Sequence, residues 1–376
     1  MTTETFSNIS KIIERDSKFT TYKFALLRGV IDIIQDNSPY IVVKENEVEI
    51  PLGLLIEKWL IYYYPLFESE LYIPQINGKN SRNAFHEQLK QIIEFYKLRG
   101  GISVFYNEIR TKNISFEINQ HFFILTRKIK DTITQMPMRY IGGSISEGEY
   151  PIFKYRAGKP VRNTTQQNLH WMIKSFGYFT IPKEYYEAFK ILGGFLAGRD
   201  NILFKWAEFS VGASKISARK QKLSTEKALH EMLKGPITER EISNSKSHYK
   251  DLIKSNGQVH CVWTGETISK YDIDHIIPFS IFKNNDLWNL LPAKPAINNR
   301  KRDKIPSPEA LNRAKDLIIH YWELICLKQQ DTFLDQVQIS LLGNLPKDNW
   351  QIDSFEQLVN TSKYLIGVRG YEGWRI

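Results

Sequence analysis

Cysteine is nearly absent: two in 376 residues, Cys261 and Cys326, far apart in the chain. Two thiols cannot build a four-thiolate metal site, and a pair so widely spaced is no disulfide framework; this usage points to a reducing compartment. Long apolar runs are missing too. Ile61-Tyr-Tyr-Tyr-Pro65 and Ile191-Leu-Gly-Gly-Phe-Leu-Ala-Gly198 are too short and too broken to span a bilayer. The first residues, Met-Thr-Thr-Glu-Thr-Phe-Ser, lack the basic start and apolar stretch of a signal peptide. A cytoplasmic protein with no membrane partner is therefore expected. No Walker-type Gly-x-x-x-x-Gly-Lys-Ser/Thr is present, which excludes nucleotide hydrolysis through a P-loop and leaves any energy requirement to a partner. Internal repeats and low-complexity tracts are likewise missing.

What is present is positive charge, unevenly spread. The net charge is +10, and residues 205–304 hold 18 Lys and Arg against 11 Asp and Glu, so +7 of the excess sits in about a quarter of the chain. A polyanionic partner fits that imbalance. Within the basic span, Lys215-Ile-Ser-Ala-Arg219-Lys220-Gln-Lys222 is either a set of phosphate contacts or a solvated linker.

Hydrophobic spacing before this span reads as mostly helix with small hairpins. Apolar residues Phe24, Leu27, Ile31 and Ile34 recur at helical intervals over Tyr22–Ile34, ended by Asp36-Asn-Ser-Pro39. Tyr40–Val43 and Val48–Ile50 flank polar Lys44–Glu47 and read as a hairpin, after which Pro51 opens a helix through Tyr64. Further helices are expected over Ser81–Leu98, His121–Thr134 and, as one aromatic-rich stretch, Lys183–Ser210. Residues Arg139–Lys159, with Gly142-Gly143 and Tyr150-Pro151, read as a β-rich insertion or a ligand-touching loop. Ser224-Thr-Glu-Lys-Ala-Leu looks like a capped helix start, closed by Gly235-Pro236, and the domain boundary is placed there. Ser307-Pro-Glu-Ala-Leu caps a long helix to about Leu327, and the tail to Ile376 is ordered if Tyr371 and Trp374 pack.

The chemistry concentrates in residues 258–306. Asp274 and His275 are adjacent, followed at fixed intervals by Asn289 and Asn298. Cutting a phosphodiester near neutral pH needs a deprotonated water and a cation to offset charge at phosphorus. A histidine serves as the base, and one carboxylate with one amide carbonyl suits a magnesium ion that completes its shell from water and phosphate. Adjacent strand residues point to opposite faces, so Asp274 and His275 act together only where the strand ends or bends; Pro278, three residues on, permits that. Arg300-Lys301-Arg302 directly follow the second candidate ligand and are read as phosphate contacts. The duller readings are a surface Asp–His hydrogen bond and an Asn-Pro turn.

This stretch resembles the HNH, or ββα-metal, nuclease family. The residues that carry the resemblance are the hairpin Cys261-Val-Trp-Thr-Gly265 to Tyr271-Asp-Ile-Asp-His275, the segment Asn289-Leu-Leu-Pro292, and Asn298-Asn-Arg-Lys301-Arg-Asp303-Lys-Ile-Pro306. Spacing and flanks are most similar to the HNH domain of RNA-guided CRISPR nucleases. The resemblance implies that Asp274 and Asn298 bind the metal, His275 activates water and Asn289 braces the loop and the His. Asn299 is the alternative to Asn298, which is preferred because Asn-x-x-Lys-x-Asp-x-x-Pro then falls in register. Many members pin the motif with zinc on two Cys-x-x-Cys pairs. Here Cys261 is followed by Thr264, so no structural zinc is expected, and Val262, Trp263, Ile273 and Ile276 hold the hairpin by core packing instead.

The chain is thus expected to be α+β. A mainly α-helical recognition or docking region (1–235) with small β hairpins would precede a ββα-metal nuclease domain (236–330) and an extension (331–376) packed on it. The expected function is a one-metal DNA endonuclease using Mg²⁺, with Mn²⁺ as a substitute, in restriction-like defence against foreign DNA. Its partners would be DNA and either a homodimer mate or a protein partner. The alternative is a nuclease subunit whose target is chosen by an ATPase or RNA-guided complex; least favoured is a binding protein with an inactive HNH fold.

Overall fold

The computed structural model describes residues 3–78, 83–111, 113–146, 148–149, 151–159, 164, 166–196, 202–216, 222–256 and 258–376. The chain divides into two compact units, one of residues 1–36 and 41–237, the other of 37–40 and 238–376. The division therefore falls beside Gly235-Pro236, and the C-terminal extension belongs to the same unit as the Asp-His motif.

In the first unit the helices are α1 (Thr3–Arg15), α2 (Tyr22–Gln35), α3 (Leu52–Glu68), α4 (His86–Tyr96), α5 (Gly101–Thr111), α6 (Asn119–Gln135), α7 (Pro137–Tyr140), α8 (Leu169–Ser175), α9 (Lys183–Leu196), α10 (Ile202–Ile216) and α11 (Thr225–Leu233). Strands β1 (Val42–Val43), β2 (Glu47–Pro51), β3 (Lys154–Arg156) and β4 (Tyr178–Pro182) form one antiparallel sheet in the order β1-β2-β4-β3. Alternation sets its register: Val48 and Ile50 point to the core opposite Ile181 and Phe179.

The core of this unit is aromatic, with Trp59, Tyr63 and Phe85 mutually in contact and Trp206 packed at a tilt against Tyr63. Tyr62, Tyr63, Tyr64 and Leu66 are buried, so that run belongs to the core and not to an interface. Tyr185, Tyr186, Phe189 and Trp206 are buried as helical spacing implies, whereas Phe204 is exposed.

Several boundaries differ from the reading of the sequence. Lys183–Ser210 is two helices, α9 and α10. The helix expected from Ser81 begins only at His86; Ser81 and Arg82 lie outside the described residues. Helix α3 runs past Pro65 to Glu68, so it forgoes the backbone hydrogen bond that a residue at 65 would otherwise donate to the Ile61 carbonyl. Ser224 caps α11 by accepting from Lys227 N, and after α7 the described residues between 141 and 159 form turns and the short strand β3.

The second unit begins with α12 (Ser243–Asn256), then β5 (Val259–His260) paired antiparallel with β6 (Thr267–Ile268). Between them Gly265 closes the turn on Cys261 at φ +73°, a conformation that suits glycine. Strand β7 (Asp272–His275) pairs antiparallel with β8 (Leu290–Ala293), with Asp274 opposite Leu291 and His275 opposite Leu290. This corrects the expected hairpin, in which Cys261–Gly265 would lead directly to Tyr271–His275. Buried Leu290, Leu291 and Ala293 give β7 a fully apolar partner that the polar 264–267 stretch does not offer.

The β7–β8 connection carries α13 (Phe279–Phe282) and a 3₁₀ turn at Leu287–Asn289, and α14 (Pro295–Lys301) follows β8. Strand β9 (Ile305–Pro306) leads into α15 (Pro308–Lys328), capped by Ser307, and α16 (Gln330–Val337), a π-helical turn at Gln338–Leu342 and α17 (Trp350–Gly367) follow. Strand β10 (Gly373–Trp374) pairs parallel with β9, bringing the C-terminus beside the motif. The core here includes Tyr249, Val262, Ile273, Ile276, Trp288 and Trp322. Among the described residues, no helix is long and apolar enough to cross a membrane.

Candidate active site

Strand β7 and helix α14 position the site. Asp272 and Asp274 lie two apart on a strand and so share a face. Asn298 and Lys301 lie three apart on α14 and share a face as well. The two faces meet: Asn298 Nδ2 donates to Asp272 Oδ2 at 3.3 Å, and Lys301 Nζ donates to Asp274 Oδ1 at 3.0 Å. Trp263 Nε1, from the β5–β6 turn, donates to the other Asp274 oxygen at 2.7 Å. Asp274 is buried, and burial raises its pKa above the usual carboxylate range, opposed by Lys301, Trp263 and the charge of Arg240.

Lys301 requires a correction. It was expected to contact nucleic acid, but its side chain is fully buried, and its ammonium also donates to the His275 carbonyl at 2.6 Å. Lys301 lies three residues from Asn298 and shares the face of α14 that turns inward onto β7, whereas Arg302 lies just past the helix end. Arg300 and Arg302 are exposed and keep the expected role open. Lys215 is exposed at the end of α10, in the other compact unit; Arg219 and Lys220 lie outside the described residues.

His275 is the last residue of β7, where the strand stops short of Pro278. Its ring packs on Phe279 at 5.4 Å, and neither ring nitrogen meets hydrogen-bond geometry with any group. Burial, aided by the positive charges of Arg240 and Lys301 and opposed by the nearby Asn285 side chain, pushes its pKa down to about 4. The imidazole is therefore neutral at physiological pH, with both ring nitrogens buried.

Asn289 is wholly buried and engaged with backbone. Its Oδ1 accepts from Ile277 N at 2.8 Å, its Nδ2 donates to Ile277 O at 2.9 Å, and its own carbonyl accepts from Ile276 N. With those groups occupied, Asn289 holds the chain just after His275 in place.

Asn299 is exposed whereas Asn298 faces β7, which gives the register question a direct experiment. Asn298→Ala is expected to reduce metal-dependent cleavage by at least about tenfold, and Asn299→Ala to change it by less than about threefold. The opposite ranking in a single-turnover assay would exchange their roles.

Three participants were not singled out from the sequence. Asp272 is legible in hindsight from strand alternation. Trp263 was counted only as core, yet its indole N–H orients Asp274, and it packs edge-on against Trp374 at 5.1 Å, tying the C-terminal strand to the site. Arg240 is exposed, and its segment is held by Asn285, which donates to Glu239 O and accepts from Glu241 N. Its charge reaches both Asp274 and His275. No local pattern links a residue so far upstream to the motif.

Residues 2–232 match the family model described as "Domain of unknown function (DUF8808)", and residues 261–307 match the model described as "HNH endonuclease". The chain is also similar to the CRISPR-associated endonuclease Cas9 of Listeria innocua serovar 6a, 30% identical over 124 residues, which cover 30% of this chain and 9% of that protein. The chain thus spans less than a tenth of that relative's length. The match over 261–307 encloses Asp274, His275, Asn289, Asn298 and Lys301, the residues joined by β7, β8 and α14. The chain accordingly belongs to the DUF8808 family and carries an HNH endonuclease-family domain behind the region that defines that family.

Proposed function

We propose that this chain is a divalent-metal-dependent DNA endonuclease of the ββα-metal type, acting in cellular defence against foreign DNA. The observation that supports this reading most strongly is the neutral, unpaired His275 imidazole, one residue from a buried Asp274 whose face is shared with Asp272 and Asn298. The donor set suits a hard cation. Asp274 spends one lone pair of each oxygen on Lys301 and Trp263 and retains the others. Asn298 spends its N–H on Asp272, which leaves its carbonyl oxygen available, and no thiolate is present to favour a softer ion.

When bound, a magnesium ion, or manganese in its place, supplies positive charge against the reacting phosphate and the leaving oxygen. Asp274 and Asn298 are the residues that would hold that cation. His275 is the base that would accept the proton of the attacking water on a ring nitrogen. Asn289 keeps the loop after His275 from shifting, while Arg240, Arg300 and Arg302 bind backbone phosphates. The family resemblance implies 5′-phosphate and 3′-hydroxyl products. One such site cuts one strand, so a double-strand break requires a homodimer, two events or a second nuclease.

Incubation of the full chain and magnesium with plasmid, phage and modified DNA, alone and with proteins encoded beside it, tests the reading. Cleavage is expected to stop on chelation and return with Mg²⁺. Activity indifferent to chelator, or absent under every condition, would sink the proposal. A second reading, in which the first unit docks a partner that licenses cutting, is favoured by the similarity to a CRISPR-associated endonuclease of which this chain covers so little. Cutting only in the presence of a neighbouring protein is its signature.

Arg240 carries a pH prediction. A base works deprotonated, so cleavage is lost as pH falls through the His275 pKa, which Arg240 helps depress. Arg240→Ala is expected to move the acid limb of the pH–rate profile upward and to weaken DNA binding. An acid limb that stays in place or moves down would remove Arg240 from the site.

A further inference from the structure

The following rests on the metal site proposed above. Beside Asp274 the fold has already installed a cation. Lys301 Nζ is 3.0 Å from Asp274 Oδ1 and 2.6 Å from the His275 carbonyl, lies 5.8 Å from the centre of the Trp263 ring, and is shut off from water. It sits at the C-terminal end of α14, whose final turn is closed by Arg302 N on Asn298 O and Lys304 N on Lys301 O. Lys301 and Asn298 are thus carried by one rigid turn.

This arrangement has an electrostatic consequence. Asp272 and Asp274 together bring two negative charges, and Lys301 cancels one of them. A dication approaching Asp274 meets a fixed like charge on the same carboxylate, in a setting too dry to screen it. A DNA phosphate at the site restores the missing negative charge. We propose that Lys301 is a positioning residue that stands in for the metal in the DNA-free protein, holding Asp274 in its working geometry while making metal capture dependent on a nucleic-acid phosphate. Metal and DNA then bind cooperatively, each raising the affinity of the other by the same factor. Free protein remains poor in metal and inactive until DNA is seated.

The test is Mn²⁺ binding, followed by electron paramagnetic resonance, to the full chain with and without single-stranded and duplex phosphorothioate oligonucleotides that resist cleavage. The wild-type protein is expected to bind Mn²⁺ at least about tenfold more tightly with oligonucleotide than without. Lys301→Met, of similar length and uncharged, is expected to bind Mn²⁺ at least about tenfold more tightly than wild type in the absence of DNA, and to lose most of the enhancement. Mn²⁺ should also raise the melting temperature of Lys301→Met, replacing the missing ammonium, at concentrations that leave wild type unmoved. Lys301→Gln, which keeps a donor towards Asp274 without the charge, should behave alike and serves if the methionine variant does not fold.

Wild-type binding that is independent of DNA, or neutral variants that bind Mn²⁺ no more tightly than wild type, would overturn the inference. Asp274→Ala separates the two levels. If no Mn²⁺ signal in any protein depends on Asp274, the metal-site reading itself fails. If an Asp274-dependent signal is present but indifferent to residue 301, only the role of Lys301 fails.

Discussion

Replacing His275 by alanine is expected to lower DNA cleavage by about 10²–10⁴-fold and to leave the fold and DNA binding unchanged. Removing a buried side chain usually costs stability, and here the expected cost is small for a specific reason. The ring nitrogens meet no hydrogen-bond geometry, and the neighbouring Asn285 side chain keeps its own bonds to Glu239 O and Glu241 N when the ring is removed. The strand end is held by backbone and neighbours: Lys301 grips the His275 carbonyl, and Asn289 grips Ile277. Single-turnover cleavage beside a thermal melt and a DNA-binding titration checks this. Full activity in the variant would remove His275 from the chemistry, and a collapsed melting temperature would make the loss of activity uninformative.

Asp274→Ala is expected to behave differently, losing both metal-dependent cleavage and about 3–5 kcal/mol of stability. The carboxylate sits between a fully buried ammonium and an indole N–H. Deleting it leaves Lys301 charged and unpaired in the interior, and breaking one half of such a pair costs far more than the pair contributes. The double variant Asp274→Ala/Lys301→Met, which removes both charges, should recover much of the lost stability and none of the activity. Chemical denaturation of the four proteins forms a complete cycle. A single variant as stable as wild type would show that the ion pair does not form in solution. A double variant less stable than Asp274→Ala alone would show that Lys301 stabilises the unit through packing and not charge.

Much of the helical scaffold was legible because its physics is local. Phe24, Leu27, Ile31 and Ile34 mark one face of α2, Ser224 and Ser307 carry the side-chain oxygens that cap α11 and α15, and Gly265 permits its turn. The motif was legible for a related reason: the spacing of Asp274, His275, Asn289 and Asn298 is a covalent quantity, and the family match over residues 261–307 supports the resemblance it suggested. Strand pairing was less legible. Cys261–Gly265 and Leu290–Ala293 both neighbour Tyr271–His275 in sequence, and only the burial of Leu290 and Leu291 in a shared core decides for β8.

The sequence by itself determined the local periodicities, the helix caps and the presence of a carboxylate, an imidazole and two amides at intervals suited to one site. Tertiary structure alone decided how those groups are wired. Lys301 reads as one of three exposed basic residues until α14 is laid against β7, and burial then turns it into the partner of Asp274. Trp263 reads as core until its N–H is seen on the same carboxylate, and Arg240 and Trp374 lie too far along the chain for any pattern to attach them. The physical reason is common to all four. Charge, desolvation and hydrogen bonding act through space over a few ångströms, and distance along a chain does not report that separation once the strands and helices have folded back on one another.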